Sequence, residues 1–264
     1  MTVIAPAPQG FERSPMPGTT RDDLDNDALQ AFLERRAPAL VGSIGGELVA
    51  ARLGLLGSSA GKLIPTVAGL YVFGLHPQLV RPEWGMSAVR VEGRVLSDPI
   101  RLQRDIEGNL GAMIDAALEF VRDNTRSIVN EADPEQSAVE YPEIAVREAV
   151  INALIHRDLR MPGRVALRVF DDRMEIWNPG GLTAAILLEE QAQHGGVSLP
   201  RNPLLAATAR ALGLVEQIGR GLPTIRRSIA RTKGAHIQIY TTQTDVRVIL
   251  PSGLYTPPGG HADH

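Results

Sequence analysis

The chain of 264 residues contains no cysteine. Disulfides and thiolate metal sites are therefore excluded, and a reducing, cytoplasmic setting is the expectation. No apolar run approaches the ~20 residues that a membrane-spanning helix needs, so a soluble protein with no membrane partner is expected. The opening stretch MTVIAPAPQGFERSP lacks a basic segment followed by an apolar one and does not read as a secretory signal. Lysine is confined to Lys62 and Lys233, every other basic residue being arginine. Nor is there an overall excess of positive charge, and a net charge of −3 argues against a globally basic nucleic-acid binder. A phosphate loop is missing as well. GSSAGKL at 57 to 63 is one residue short between Gly57 and Gly61, and Leu63 stands where the magnesium-binding hydroxyl belongs. No helicase motor is expected on that ground.

What is present centres on YPEIAVREAVINALIHRD, residues 141 to 158. Read as a helix entered through Pro142, it places Glu148, Asn152 and His156 at i, i+4 and i+8, one polar stripe up a face. Ile144, Val146, Val150, Ile151, Leu154 and Ile155 supply apolar surface for the other faces. A carboxylate, an amide and an imidazole so flanked are costly to bury unless each finds a partner. One chemistry that uses Glu and Asn a turn apart is magnesium-dependent nucleotide hydrolysis, in which Glu activates water and Asn helps hold the hydrated ion. A partly exposed helix whose stripe meets solvent explains the spacing equally well.

Along the chain, residues 1 to 22 are rich in Pro, Gly and Thr and read as a disordered arm. A helix is expected over 23 to 36. LIPTVAGLYVFGLHP (63 to 77) reads as a buried helix or strand, and MSAVRVEG (86 to 93) as a strand. The period of Ile106, Leu110, Met113, Ile114, Ala117, Leu118 and Val121 predicts one long amphipathic helix over 99 to 124. Residues 23 to 130 thus form a smaller α+β module. The polar stretch 130 to 140 leads into the 131 to 251 domain. There the 141 to 158 helix is followed by a hairpin turning at Asp171-Asp172, and its second strand runs into Asn178-Pro179-Gly180-Gly181. Residues 183 to 203 read as a long mobile loop. Helices follow over 204 to 212 and after Gly219-Arg220-Gly221, whose N-terminus suits a phosphate. A closing hairpin over 235 to 251 precedes a loose tail, 252 to 264. Between 201 and 233, seven basic residues, Arg201, Arg210, Arg220, Arg226, Arg227, Arg231 and Lys233, face one acid, Glu216.

This order of motifs resembles the GHKL (histidine-kinase-like) ATPase fold. YPEIAVREAVINALIHRD, FDDRMEIWNPGGL, RNPLLA and GLVEQIGRGLPTI resemble more closely the C-terminal module of RecG-like transcriptional regulators, which usually carry a Schlafen/AlbA-type N-terminal domain. GKLIPTVAGLYVFGLHPQLVRP resembles the same family's middle segment, so the likeness runs over about residues 60 to 251. It implies a Bergerat-type α/β sandwich with a mixed, largely antiparallel sheet. It also implies ATP and Mg2+ as cofactors, with Glu148 as general base and Asn152 on the magnesium side. His156 would lie near the phosphates, Gly180 and Gly181 in the turn beside the base, and Gly219 and Gly221 at the phosphates. Asn178 stands where the family has an adenine-reading Asp, and Ile155 where many members carry a charged residue. The residues ahead of Gly61 are too few for a Schlafen/AlbA-type domain. DNA binding would then rest on the 201 to 233 segment.

The expectation is an ATP-binding regulatory protein with slow Mg-dependent hydrolysis, its lid ordered by nucleotide, and with DNA or a second copy of the chain as further partners. A rival from another class is a non-catalytic nucleic-acid-binding or interaction module with a degenerate nucleotide site. Arg220, Arg226, Arg227 and Arg231 would be its phosphate-contacting face, with binding that weakens steeply in salt.

Overall fold

The computed structural model describes residues 10–128, 138–181, 200–215, 221–230 and 236–256. In order, these form α1 (Asn26–Arg36), α2 (Pro38–Ile44), α3 (Gly46–Leu53), β1 (Leu56–Ser59), β2 (Lys62–Pro65), α4 (Val67–Phe73), α5 (Pro77–Val80), β3 (Met86–Val91), β4 (Ile100–Ile106) and α6 (Leu110–Asp123). Next come β5 (Ser127–Ile128), β6 (Ala138–Val139), α7 (Glu143–His156), β7 (Val165–Val169), β8 (Arg173–Pro179), α8 (Pro203–Ala211), α9 (Gly221–Ala230), β9 (Gln238–Thr241) and β10 (Asp245–Pro251). Side-chain oxygens at the helix starts accept the otherwise orphaned N–H groups. Asp25 takes Ala28 at 2.9 Å, Thr66 takes Gly69 at 3.1 Å and Asn109 takes Ala112 at 3.0 Å.

Six strands make the main sheet in the order β4-β3-β7-β8-β10-β9, antiparallel everywhere except between β3 and β7. That parallel pair needs a crossover, and the chain between its strands supplies α6 and α7. Met86, Ala88, Val165, Leu167, Val169, Met174, Ile176 and Leu250 on one sheet face join Met113, Ile114, Ala117 and Val121 of α6 and the buried side of α7 in a single core. This is the expected α+β sandwich with a mixed, largely antiparallel sheet. The sheet also spans the division expected at residue 130, since β3 and β4 lie beside β7. No helix among the described residues is long and apolar enough to cross a membrane.

Two expectations give way. The single helix over 99 to 124 is a strand followed by a helix. Ile100, Leu102, Arg104 and Ile106 alternate along β4, and the turn at Gly108 (φ 113°) with the Asn109 cap starts α6 afresh. Residues 10 to 22, expected as part of a disordered arm, are built in by 3-10 turns at Phe11–Arg13 and Arg21–Asp23. Residues 1–9 lie outside the described residues. GSSAGKL is the β1–β2 hairpin, turning at Ala60 (φ 49°) and Gly61 (φ 77°). The first residues of the expected tail are tied down, with Ser252 donating from its hydroxyl to Glu140 at 2.6 Å.

The built-in N-terminal segment has a specific task. Both carboxylate oxygens of buried Glu12 accept backbone N–H groups of α8, from Leu204 at 2.7 Å and Leu205 at 2.8 Å. Burial pushes the Glu12 carboxyl above its ordinary range despite these bonds. Glu12→Ala leaves two donors, that of Leu205 buried and that of Leu204 half-buried, without their acceptors and is expected to lower stability by about 1–2 kcal/mol. Urea denaturation checks this, and an unchanged midpoint would mean that the segment does not hold α8.

Candidate functional site

Helix α7 is apolar on most of its circumference. Ala145, Ala149 and Ala153 recur every four residues, favour the helix and are buried with Val146, Val150, Ile151, Leu154 and Ile155. What remains is the stripe of Glu148, Asn152 and His156, each half-buried. α9 packs along α7 through buried Ile225 and Ile229, one turn apart, and brings its first residue onto the stripe. A Cβ added to Gly221 would stand 2.7 Å from Glu148 Oε2 and 2.9 Å from Asn152 Nδ2. Only glycine lets the N-terminus of α9 come this close. Glu148, Asn152 and Gly221, expected at one site, converge here. Asn152 Nδ2 is buried and has no hydrogen-bond partner among the described residues, a condition that costs about 1–3 kcal/mol. An acceptor brought to Nδ2 would relieve it.

Further along the stripe, burial and, secondarily, the charge of Arg201 push the His156 imidazole down to about 4. The ring is neutral at pH 7. Cationic charge at this end comes instead from Arg201, a residue that spacing did not single out. It is half-buried, lies 3.1 Å from Asp158 Oδ2 and donates to the Gly181 carbonyl. Asp158 also takes the Arg160 guanidinium at 2.7 and 2.9 Å. Burial alone would raise its carboxyl. Hydrogen bonds and charge from Arg160, with the charge of Arg201, hold it below its ordinary value.

Gly180 and Gly181 form the turn after β8, and protein packing accounts for both. Gly180 has φ 109°, donates to the Thr244 carbonyl at 2.7 Å, and a Cβ there would stand 2.8 Å from Asp158 Cβ. A Cβ on Gly181 would meet the backbone carbonyls of Thr242 and Gln243 in the β9–β10 turn. Asn178 is buried. The amide orientation that satisfies its neighbours puts its nitrogen 3.2 Å from the Ala153 carbonyl oxygen, where it donates. Two more side chains serve the same helix end. The Tyr71 hydroxyl donates to Leu154 O at 3.3 Å, and Asn202 Nδ2 donates to Ile155 O at 2.8 Å and Arg157 O at 2.9 Å. These close the carbonyls that a helix leaves open at its C-terminus. Asn202 precedes Pro203 and reads as an N-cap of α8, yet its side chain serves α7.

Arg226 and Arg227 are exposed on α9. Gly219, Arg220, Arg231 and most of the 183 to 203 loop lie outside the described residues. No group of three or more His, Asp or Glu able to hold a metal occurs among the described residues.

A family model described as "Putative ATP-dependent DNA helicase recG C-terminal" matches residues 163–250, about a third of the chain. The match supports an ATPase-like module in the C-terminal part. The matched stretch includes Asn178, the Gly180–Gly181 turn, Gly219 and Gly221 and begins after α7, so Glu148, Asn152 and His156 stand outside it. Among solved structures the chain is similar in fold to the DIP2311 protein from Corynebacterium diphtheriae. The TM-score is 0.63 and the identity 23%, over 92% of this chain and 48% of that one. The chain therefore spans about half the length of that protein. No curated protein matches it.

Two outcomes follow from this geometry. Asn178→Asp, which replaces the amide by a carboxylate, would set an oxygen against Ala153 O. It is expected to cost about 1–3 kcal/mol by thermal or urea denaturation; an unchanged stability would show that the amide donor is not used. For His156 the fold favours the neutral ring. Its contribution is full above pH 6.5 and is lost as pH falls towards 4, by at most about 1.4 kcal/mol per pH unit. His156→Gln should flatten that slope, and an imidazole titrating near 6.5 by NMR would contradict the assignment.

Proposed function

We propose that this chain is an ATP-binding regulatory protein whose nucleotide, with magnesium, binds where α9 begins against Glu148 and Asn152. The observation that supports the reading is the buried Asn152 Nδ2, which has no hydrogen-bond partner among the described residues, beside a carboxylate, with the first residue of α9 held against both through Gly221. The donor set fits such a ligand. α9 points backbone N–H groups and the positive end of its dipole at an anion. Asn152 offers an amide to the ion and its phosphates, and His156 a neutral ring able to donate a hydrogen bond. Asn178, whose nitrogen is committed to Ala153, keeps Oδ1 as the acceptor for the adenine amino group. That division of labour gives a reason for asparagine where the resemblance has aspartate, since a carboxylate cannot donate to Ala153. Magnesium usually keeps several waters and is held through few protein ligands and the substrate's phosphates. A site with a single amide beside one carboxylate, and no acidic cluster among the described residues, is consistent with that habit.

Glu148 is the general base of this reading, taking the proton from the water that attacks the terminal phosphate. Magnesium, when bound, neutralises charge on the phosphates. In this reading hydrolysis is slow and secondary to binding. The ligand's role is then to change the surface shown to a partner, in keeping with a transcriptional regulator that works in the cytoplasm on DNA, as a monomer or with a second copy.

Isothermal titration with ADP and a non-hydrolysable ATP analogue, with and without magnesium, tests the site. Micromolar, magnesium-dependent binding is expected, with Asn152→Ala losing at least tenfold in affinity and Glu148→Gln keeping binding while losing phosphate release. Equal affinity of Asn152→Ala and the parent chain would refute the assignment.

A further inference from the structure

The six-stranded sheet has a second face. Along β7 the core takes Val165, Leu167 and Val169, while Ala166 and Arg168 point to the other side. Register carries that other side across the molecule. Asp105, Ser87, Ala166, Trp177, Arg247 and Tyr240 are successive partners in one row from β4 to β9. Trp177 is half-buried and Tyr240 is 49% exposed. They stand two strands apart, about 10 Å at the usual strand spacing, and the Arg247 guanidinium between them lies 5.1 Å from the Tyr240 ring centre. On the far side of Trp177 the row falls to Ala166 and Ser87, small side chains, and the outer edge of the indole lies over Gly163.

Charge follows the aromatics. In the adjoining row the buried carboxylate of Glu175 accepts from Arg173 at 2.8 Å and has Arg168 and Arg247 each at 3.8 Å. Arg173 is shared with Asp172, which also holds Arg94. Four guanidiniums thus meet two carboxylates, and with Asp245 two residues before Arg247 on the same face of β10 one positive charge is left over beside the two rings. At the opposite end of the row Asp105 is met by Arg164 at 3.4 Å and adds no cationic surplus. α9 has exposed arginines without a ring on the same helix. Here rings and guanidiniums alternate on a shallow surface.

We propose that this face binds single-stranded nucleic acid, its bases stacked on Trp177 and Tyr240 and its phosphates met by Arg168 and Arg247. Unpaired bases present flat faces that stack on aromatic rings without regard to sequence, and a neighbouring guanidinium takes the backbone. A duplex hides those faces, so the site discriminates against double strands. Glu175 touches no ligand and acts by holding the arginines in place. The proposal does not depend on the nucleotide reading, because it uses the opposite side of the sheet from α7 and α9.

The chain holds two tryptophans, and Trp84 is fully buried, so emission from the accessible Trp177 reports on this face. Titration with an oligothymidylate of about twelve nucleotides is expected to quench it, with an affinity that falls as salt rises. By anisotropy of a labelled strand, Trp177→Ala and Tyr240→Ala should each weaken binding by about 5- to 150-fold, and Trp177→Phe, which keeps a ring, by much less. Arg247→Ala should lower the salt slope by about one, while Arg226→Glu with Arg227→Glu leaves stacking intact and quenching unchanged. Absence of binding at low salt would overturn the proposal. So would a duplex bound as tightly as the single strand, or ring variants that bind normally. Quenching that follows protein concentration alone, with a doubled mass in light scattering, would assign the face to a second copy and equally overturn it.

Discussion

A helix that ends inside a protein must give its last carbonyl groups to donors other than water, and α7 ends inside. Leu154, Ile155 and Arg157 are buried there. Tyr71 of α4, Asn178 of β8 and Asn202 ahead of α8 each bring one donor to that end, so three distant segments are fixed to it at once. Arg157 adds a second tie. Its fully buried guanidinium donates to the carbonyls of Glu83 at 2.7 Å, Gly163 at 2.9 Å and Gly85 at 3.4 Å. A guanidinium taken out of water without a carboxylate is costly unless its acceptors are well placed, and these acceptors lie on the loops leading into β3 and β7. The end of α7 is thereby set against the one parallel strand pair of the sheet. Once its end is fixed, so is its rotation, and Glu148, Asn152 and His156 can face only α9 and Arg201.

The same constraint explains what could be read from the sequence. Glu148, Asn152 and His156 share a helix face by local arithmetic, so their alignment needed no knowledge of the fold. Asp158, Arg201 and Asn202 carry no period. They meet only because α7 ends beside the turn at Gly180 and the start of α8. The segment around Glu12 was hidden for another reason: 3-10 turns are too short to show a hydrophobic period, and its capping target lies near the other end of the chain. β4 was hidden by overlap. Ile106 fits both the alternation of Ile100, Leu102 and Arg104 and the helical spacing of Leu110 and Met113, and only Gly108-Asn109 marks the change.

Glycine was legible as a residue type but ambiguous as a role. At Gly221 the missing Cβ brings the first residue of α9 onto a carboxylate and an amide. At Gly180 and Gly181 the missing Cβ atoms are filled from the protein's own side, by Asp158 and by the β9–β10 turn. The spacing of glycines cannot separate these two uses, because both require the backbone to approach something closely.

Strand β8 links the two proposed sites. Asn178 and Trp177 are consecutive, and alternation in a strand sends consecutive side chains to opposite faces. A ligand that engages Asn178 Oδ1 therefore acts on the backbone that carries Trp177, without a longer path between the sites. The size of that coupling is bounded by what the link can store. A single hydrogen bond at Asn178 contributes about 1 kcal/mol net, and coupling between sites in proteins is typically about 1–3 kcal/mol. Nucleotide acting through β8 alone can then alter affinity at the sheet face by roughly five- to tenfold. A larger effect would have to come from α9, whose first residue touches Glu148 and Asn152 and whose buried Ile225 and Ile229 would carry any displacement into the core.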